Sequence, residues 1–137
     1  MIAIPRALLQ VAPMTEPLAL VFYEKLMPGS QLVNRLQDLQ YRVQTLNDAG
    51  SLQDCAEKAK PMLVLADLES SQNNVCDEIK RLKTNATTQH LPVIAFSSET
   101  ATELQEAARA AGATLVVTQA ALLGHLPHLL EQALQLE

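Results

Sequence analysis

A chain of 137 residues, 48% hydrophobic and 18% charged, is long enough for one domain that buries roughly two thirds of the surface its unfolded form would expose, with no metal or disulfide needed to hold it. A net charge of -5 and a pI near 5.1, with no stripe gathering the ten Lys and Arg, argue against a protein that grips nucleic acid by neutralising phosphates. No run approaches about 18 uninterrupted apolar residues, which excludes a membrane span, and Cys55 and Cys76 lack the C-x-x-C spacing of a redox or zinc motif. They read as reduced thiols in a cytoplasmic protein.

Residues 1–17, MIAIPRALLQVAPMTEP, are apolar, but Arg6 interrupts them and Pro5, Pro13 and Pro17 break any long helix. They read as an extension ahead of a domain at 18–137 rather than as a secretion signal. From residue 18 the chain alternates between the two periods of regular structure. A strand is expected over 18–23, then a helix with Leu32, Val33, Leu36 and Leu39 on one face, then a strand over 41–46. Gly50 and Ser51 mark the turn into a shorter helix at 51–60, which Pro61 stops. The run PMLVLADLE at 61–69 holds a third strand, and Val75, Ile79 and Leu82 follow at helical spacing. A fourth strand over 91–96 leads to a helix bearing Leu104, Ala107, Ala108 and Ala111, with Gly112 placed for a left-handed cap. The fifth strand, 114–118, precedes a last helix with Leu129, Leu130, Ala133 and Leu134 on one face and Pro127 in its first turn. Five strand and helix pairs predict an α/β fold: a parallel sheet whose apolar strands are covered on both faces by crossover helices.

In an open parallel sheet, ligands are met at the carboxyl ends of the strands. That edge carries Tyr23 and Glu24, then Asp67, then Ser97 and Ser98, then Thr118 and Gln119. Asp67 closes the third strand, where a carboxylate can hold a cation, attack a phosphoryl group, or simply cap nearby amides. His125 and His128 stand at i and i+3, but no carboxylate or cysteine completes a metal site beside them, and they read as surface or capping residues. His90 falls in a loop. Lys80, Arg81 and Lys83 read as the solvated face of a helix. No phosphate-cradling glycine loop supports a nucleotide or flavin site.

The edge acids, hydroxyl and spacing together resemble the receiver domain of bacterial response regulators. From Glu24 to Asp67 is 43 residues, from Asp67 to Ser97 is 30, and from Asp67 to Gln119 is 52. The strings LPVIAFSSE at 91–99 and AARAAGATLVV at 107–117 are similar to that family's fourth strand and its run from fourth helix to fifth strand. The resemblance extends from residue 18 to the C-terminus. It implies a flavodoxin-like three-layer sandwich with strand order 2-1-3-4-5. It implies that Asp67 stands where a histidine kinase delivers a phosphoryl group, that Glu24 and Asp67 hold Mg2+, and that Ser97 is the switch hydroxyl. Gln119 replaces the lysine that would pair with the acyl phosphate.

Several positions depart from the family's pattern. Tyr23 stands where a second acid is usual, leaving Glu24 alone, and Ala120 follows Gln119 in place of a proline. The loop after Asp67 reads LESSQNNV, and its Glu69 would repel an incoming phosphate. Losing a lysine-to-phosphate bond costs about 1.5–3 kcal/mol, and a magnesium ligand a comparable amount. Two readings stand. One is a stand-alone pseudo-receiver that acts by protein-protein interaction in two-component signalling. The other is a working Mg2+-dependent phosphoacceptor modified on Asp67. Neither is an enzyme beyond self-phosphorylation. A histidine kinase or downstream signalling protein is the implied partner, with a homodimer through the fourth helix, fifth strand and fifth helix as a further surface. Ala107, Ala108, Ala111, Leu122, Leu123 and Leu126 lie there, the Leu122-Leu123 pair being either exposed or buried under the last helix.

Overall fold

Short apolar segments rich in Val, Leu and Ala pair in parallel, because each is joined to the next by an amphipathic helix that returns the chain to the same edge. The computed structural model describes residues 17–23, 26–46, 51–69 and 75–135. The expected extension lies outside them except for Pro17, whose carbonyl accepts the Arg42 N–H at 2.8 Å. In chain order the elements are β1 (Leu18–Phe22), α1 (Leu26–Asp38), β2 (Arg42–Leu46), α2 (Leu52–Ala59), β3 (Leu63–Asp67), α3 (Val75–Thr84), β4 (Val93–Ser97), α4 (Thr102–Ala111), β5 (Leu115–Thr118), α5 (Gln119–Gly124) and α6 (Leu126–Gln135). The sheet is parallel throughout, in the order β2-β1-β3-β4-β5. This is the expected flavodoxin-like order, and its direction reverses between β1 and β3.

Side chains alternate across the sheet and feed two cores. Leu20, Phe22, Val64, Ala66, Val93 and Ala95 pack under α2, α3 and α4, against Leu52, Ile79, Leu82 and Ala108. Ala19, Val21, Leu63, Leu65, Ile94 and Phe96 pack under α1, α5 and α6, against Leu32, Leu36, Leu122 and Leu130. β3 and β4 are buried along their whole length, and β1 from Ala19 onward. The outer strands differ from the expectation of full cover. β2 exposes Arg42, Gln44 and Thr45, and β5 is half-buried along its length, because each has a neighbour on one side only.

Two further points differ from expectation. The expected last helix forms as α6, but an additional short helix, α5, precedes it, with Thr118 capping α5 by accepting the Ala121 N–H at 3.1 Å. Pro127 does sit in the first turn of α6, where its missing N–H costs nothing. Leu122 is buried and Leu123 half-buried, so the pair is not an exposed patch. Lys80 and Arg81 are exposed, but Lys83 is half-buried and its Nζ donates to the Leu91 carbonyl at 2.8 Å, tying α3 to the segment before β4.

Both cysteines carry free thiols. Cys76 is buried, and burial first, then the Asp77 carboxylate beside it, pushes its pKa up and keeps it protonated. Gly112 ends α4 at φ +105°, and a Cβ there would lie 3.2 Å from Cβ and Cγ of Lys83. Gly112→Ala should therefore lower stability by about 1–3 kcal/mol in urea unfolding, and an unchanged midpoint would contradict the strain assigned here.

Candidate functional site

The register of the sheet aligns the chemistry at its carboxyl edge. Asp67 pairs with Phe96 and Ser97 with Thr118, so the ends of β3, β4 and β5 stand side by side. The Leu68 N–H continues the ladder by donating to the Phe96 carbonyl at 2.9 Å. Asp67 is only 2% exposed and Ser97 is fully buried, although both are polar. Such groups must find partners inside the protein.

They do so in a small closed network. The Glu69 N–H turns back to donate to Asp67 Oδ1 at 3.0 Å, an Asx-type turn that fixes the direction of the chain leaving β3. That turn aims the Glu69 side chain across to β4. Its Oε2 accepts the Ser98 N–H at 2.6 Å and its Oε1 accepts the Ser98 hydroxyl at 3.2 Å. The Ser97 hydroxyl donates to the Ser98 carbonyl at 3.0 Å and accepts from Gln105 Nε2 at 3.1 Å. Gln105 Nε2, in the second turn of α4, also donates to the Ser98 carbonyl at 3.0 Å. The hydroxyls of Ser98 and Thr100 lie 3.3 Å apart.

Of the residues singled out by sequence, Asp67 and Ser97 thus come to adjacent strand ends. Gln119 is half-buried as the first residue of α5, one position beyond the Thr118 that pairs with Ser97, and Ala120 is exposed. Tyr23 is half-buried against the α1, α5 and α6 core, its N–H donating to the Leu46 carbonyl at 3.0 Å. Glu24 lies outside the described residues, as do 70–74 of the loop after Glu69. Magnesium takes oxygen ligands, and the described residues of this edge supply the carboxylates of Asp67 and Glu69, the latter already held by Ser98. Among the described residues no group of three His, Cys, Asp or Glu could hold a metal. His90, His125 and His128 are exposed. A cavity of about 310 Å³ lined by Glu57, Lys60, Thr87 and His90 lies at the opposite, amino-terminal edge, away from this chemistry.

Ser98 was placed at this edge by sequence, whereas Gln105 carried no signal of its own. Glu69 stood out only as a charge opposed to phosphate, whereas in the fold its carboxylate is a hydrogen-bond acceptor joining two strands.

The topology is the flavodoxin-like fold that CheY-like receiver domains share. No family model matches the chain and no curated protein matches it in sequence, but many solved structures share its fold. The chemotaxis response regulator CheY4 of Vibrio cholerae superposes with a TM-score of 0.76 at 20% identity, over 87% of this chain and 99% of that one. A putative response regulator from Chloroflexus aurantiacus gives 0.81 at 16% identity, over 88% and 99%. The signal receiver domain of a putative Luxo repressor protein from Vibrio parahaemolyticus gives 0.74 at 16%, over 88% and 91%. At such identities the likeness is one of fold. No helix among the described residues is long and apolar enough to cross a membrane.

Because Gln105 bridges the Ser97 hydroxyl and the Ser98 carbonyl, Gln105→Leu should destabilise by about 1–2 kcal/mol. In a double-mutant cycle with Ser97→Ala the two changes should couple by at least about 0.5 kcal/mol in urea unfolding, and strict additivity would count against the shared bond.

Proposed function

We propose that this protein is a degenerate receiver of two-component signalling. It acts by binding a protein partner in the cytoplasm, and phosphoryl chemistry at Asp67 is weak or lost. The observation that carries this reading is the engagement of the edge by its own side chains. The Ser98 N–H and hydroxyl, at the strand end beside that of Asp67, are bound to Glu69, and the Ser97 hydroxyl is bound to Gln105 and the Ser98 carbonyl. Gln119 brings no positive charge to the end of β5. The absent cation alone, at about 1.5–3 kcal/mol, corresponds to a loss of roughly 10- to 100-fold in rate. The partner is a histidine kinase or a downstream signalling protein, and α4, β5 and the α5–α6 segment form the surface offered to it or to a second copy.

A second reading is favoured by the retention of Asp67 beside Ser97. In it the chain is a working phosphoacceptor, and Glu24 and Asp67 supply oxygens to Mg2+, which would neutralise charge during transfer. An Asp67 carboxylate oxygen would then attack the phosphorus of a phosphoryl donor and the donor's leaving group would depart.

Incubation with labelled acetyl phosphate and Mg2+ separates the two. The expected outcome is no more label on the natural chain than on Asp67→Asn. Rapid incorporation that Asp67→Asn abolishes would establish the phosphoacceptor instead.

A further inference from the structure

We infer that the cavity at the amino-terminal edge of the sheet is a binding site for a small aliphatic zwitterion, of the kind that a free α-amino acid provides. The inference goes beyond the receiver reading and uses none of the residues at the carboxyl edge. The cavity, of about 310 Å³, is of the size that holds a small molecule, and Ala56, Pro61 and Leu91 form its apolar wall. All three of these side chains are buried. The same cavity is lined by Glu57 from the last turn of α2, by Lys60 where that helix ends, and by Thr87 and His90 from the segment before β4.

Two features set its charges apart from ordinary surface residues. Glu57 and Lys60 line one cavity about one helical turn apart, yet they do not pair with each other, and neither forms an ion pair with any described residue. The Glu57 carboxylate is fixed by neutral donors instead, all on one oxygen. Its Oε2 accepts from Gln53 Nε2 at 2.7 Å, Asn85 Nδ2 at 3.3 Å and Thr87 Oγ1 at 3.5 Å, and its Oε1 takes none of them. Gln53 is only 7% exposed, its Nε2 is shared with Thr88 Oγ1 at 3.3 Å, and its own Oε1 is buried without a hydrogen-bond partner. A buried amide left half-satisfied is unfavourable, and here it holds a carboxylate in place at the cavity wall. Lys60 is the second feature. Its φ of +51° lies in the left-handed region, at the helix-end position that Gly112 fills after α4 and that glycine fits best. A lysine strained in this way beside a cavity points to a use for its ammonium.

A ligand with an ammonium for Glu57 Oε1, a carboxylate for Lys60 and a short aliphatic body for the apolar wall answers both charges at once. A cation alone would leave Lys60 unanswered, and an anion alone would leave Glu57 so. The test is a chemical-shift titration of the full 15N-labelled chain, at constant ionic strength, with L-valine, L-leucine, isobutylamine and isovalerate. The last two keep the aliphatic body of L-valine with one charge each. Either amino acid should give saturable shifts at the Glu57, Lys60, Thr87 and His90 amides and leave Ser97 and Ser98 unmoved. The singly charged analogues should bind roughly 10- to 100-fold more weakly, the loss expected for one charge-assisted bond. Glu57→Gln, which keeps an acceptor for Gln53, should weaken amino-acid binding by the same factor. Lys60→Gly should weaken it as much while its urea midpoint stays at or above that of the natural chain, because glycine relieves the left-handed backbone. Amides of β3, such as Val64, report that each variant is folded. No saturable shift with either amino acid would overturn the assignment. So would equal binding of isobutylamine or isovalerate, binding that survives both substitutions, or a lowered midpoint in Lys60→Gly, which would make that lysine a requirement of the fold.

Discussion

Everything in this molecule depends on the burial of β1, β3 and β4 on both faces. A fully buried Leu or Phe side chain is worth about 1.5–3 kcal/mol, and these strands bury such residues on both sides of the sheet. Their backbone groups can be satisfied only by one another, which enforces the parallel ladder. Parallel pairing in turn requires a helix after each strand, and those helices supply the two outer layers. Every strand then ends at the same edge, so Asp67, Ser97 and Thr118 meet there although they are far apart along the chain.

That edge is where the burial of polar groups is hardest to reconcile with an apolar core. Asp67 and Ser97 are as buried as the leucines around them. Leaving a buried acceptor or donor without a partner costs about 1–3 kcal/mol, so the local geometry is dominated by satisfying it. The Asx-type turn at Glu69, the Glu69 to Ser98 bridge and the Gln105 bond to Ser97 are parts of one solution. Its consequence for function is that the donors of the site are engaged within the protein. This edge carries an internal carboxylate, and the residue beyond β5 is Gln119.

The five strands were legible as short apolar runs, whereas their order followed only from the resemblance to receiver domains. Pro61, Gly112 and Pro127 punctuate the helices in ways that local backbone chemistry dictates. The places of Asp67 and Ser97 at strand ends were legible from the apolar runs that precede them. The limits were equally physical. The short helix α5 spans only six residues, too few to show a helical period. Whether Leu122 and Leu123 are covered depends on how α5 docks. Lys83 looks like a solvated charge in any helical projection, and only the approach of Leu91 turns it inward to a carbonyl. Glu69 and Gln105 belong to contacts 29 and 8 residues long in sequence, and neither has a local pattern.

The sequence by itself determined the alternation of strands and helices, the class of fold and the presence of an acid at the end of the third strand, because each follows from periodicity and from the chemistry of neighbouring residues. Tertiary structure alone decided which groups occupy the carboxyl edge. Hydrogen bonds between Glu69, Ser98, Ser97 and Gln105 are formed only when the ends of β3 and β4 and the start of α4 converge. A carboxylate that opposes phosphate in one dimension becomes in three dimensions a ligand for the backbone.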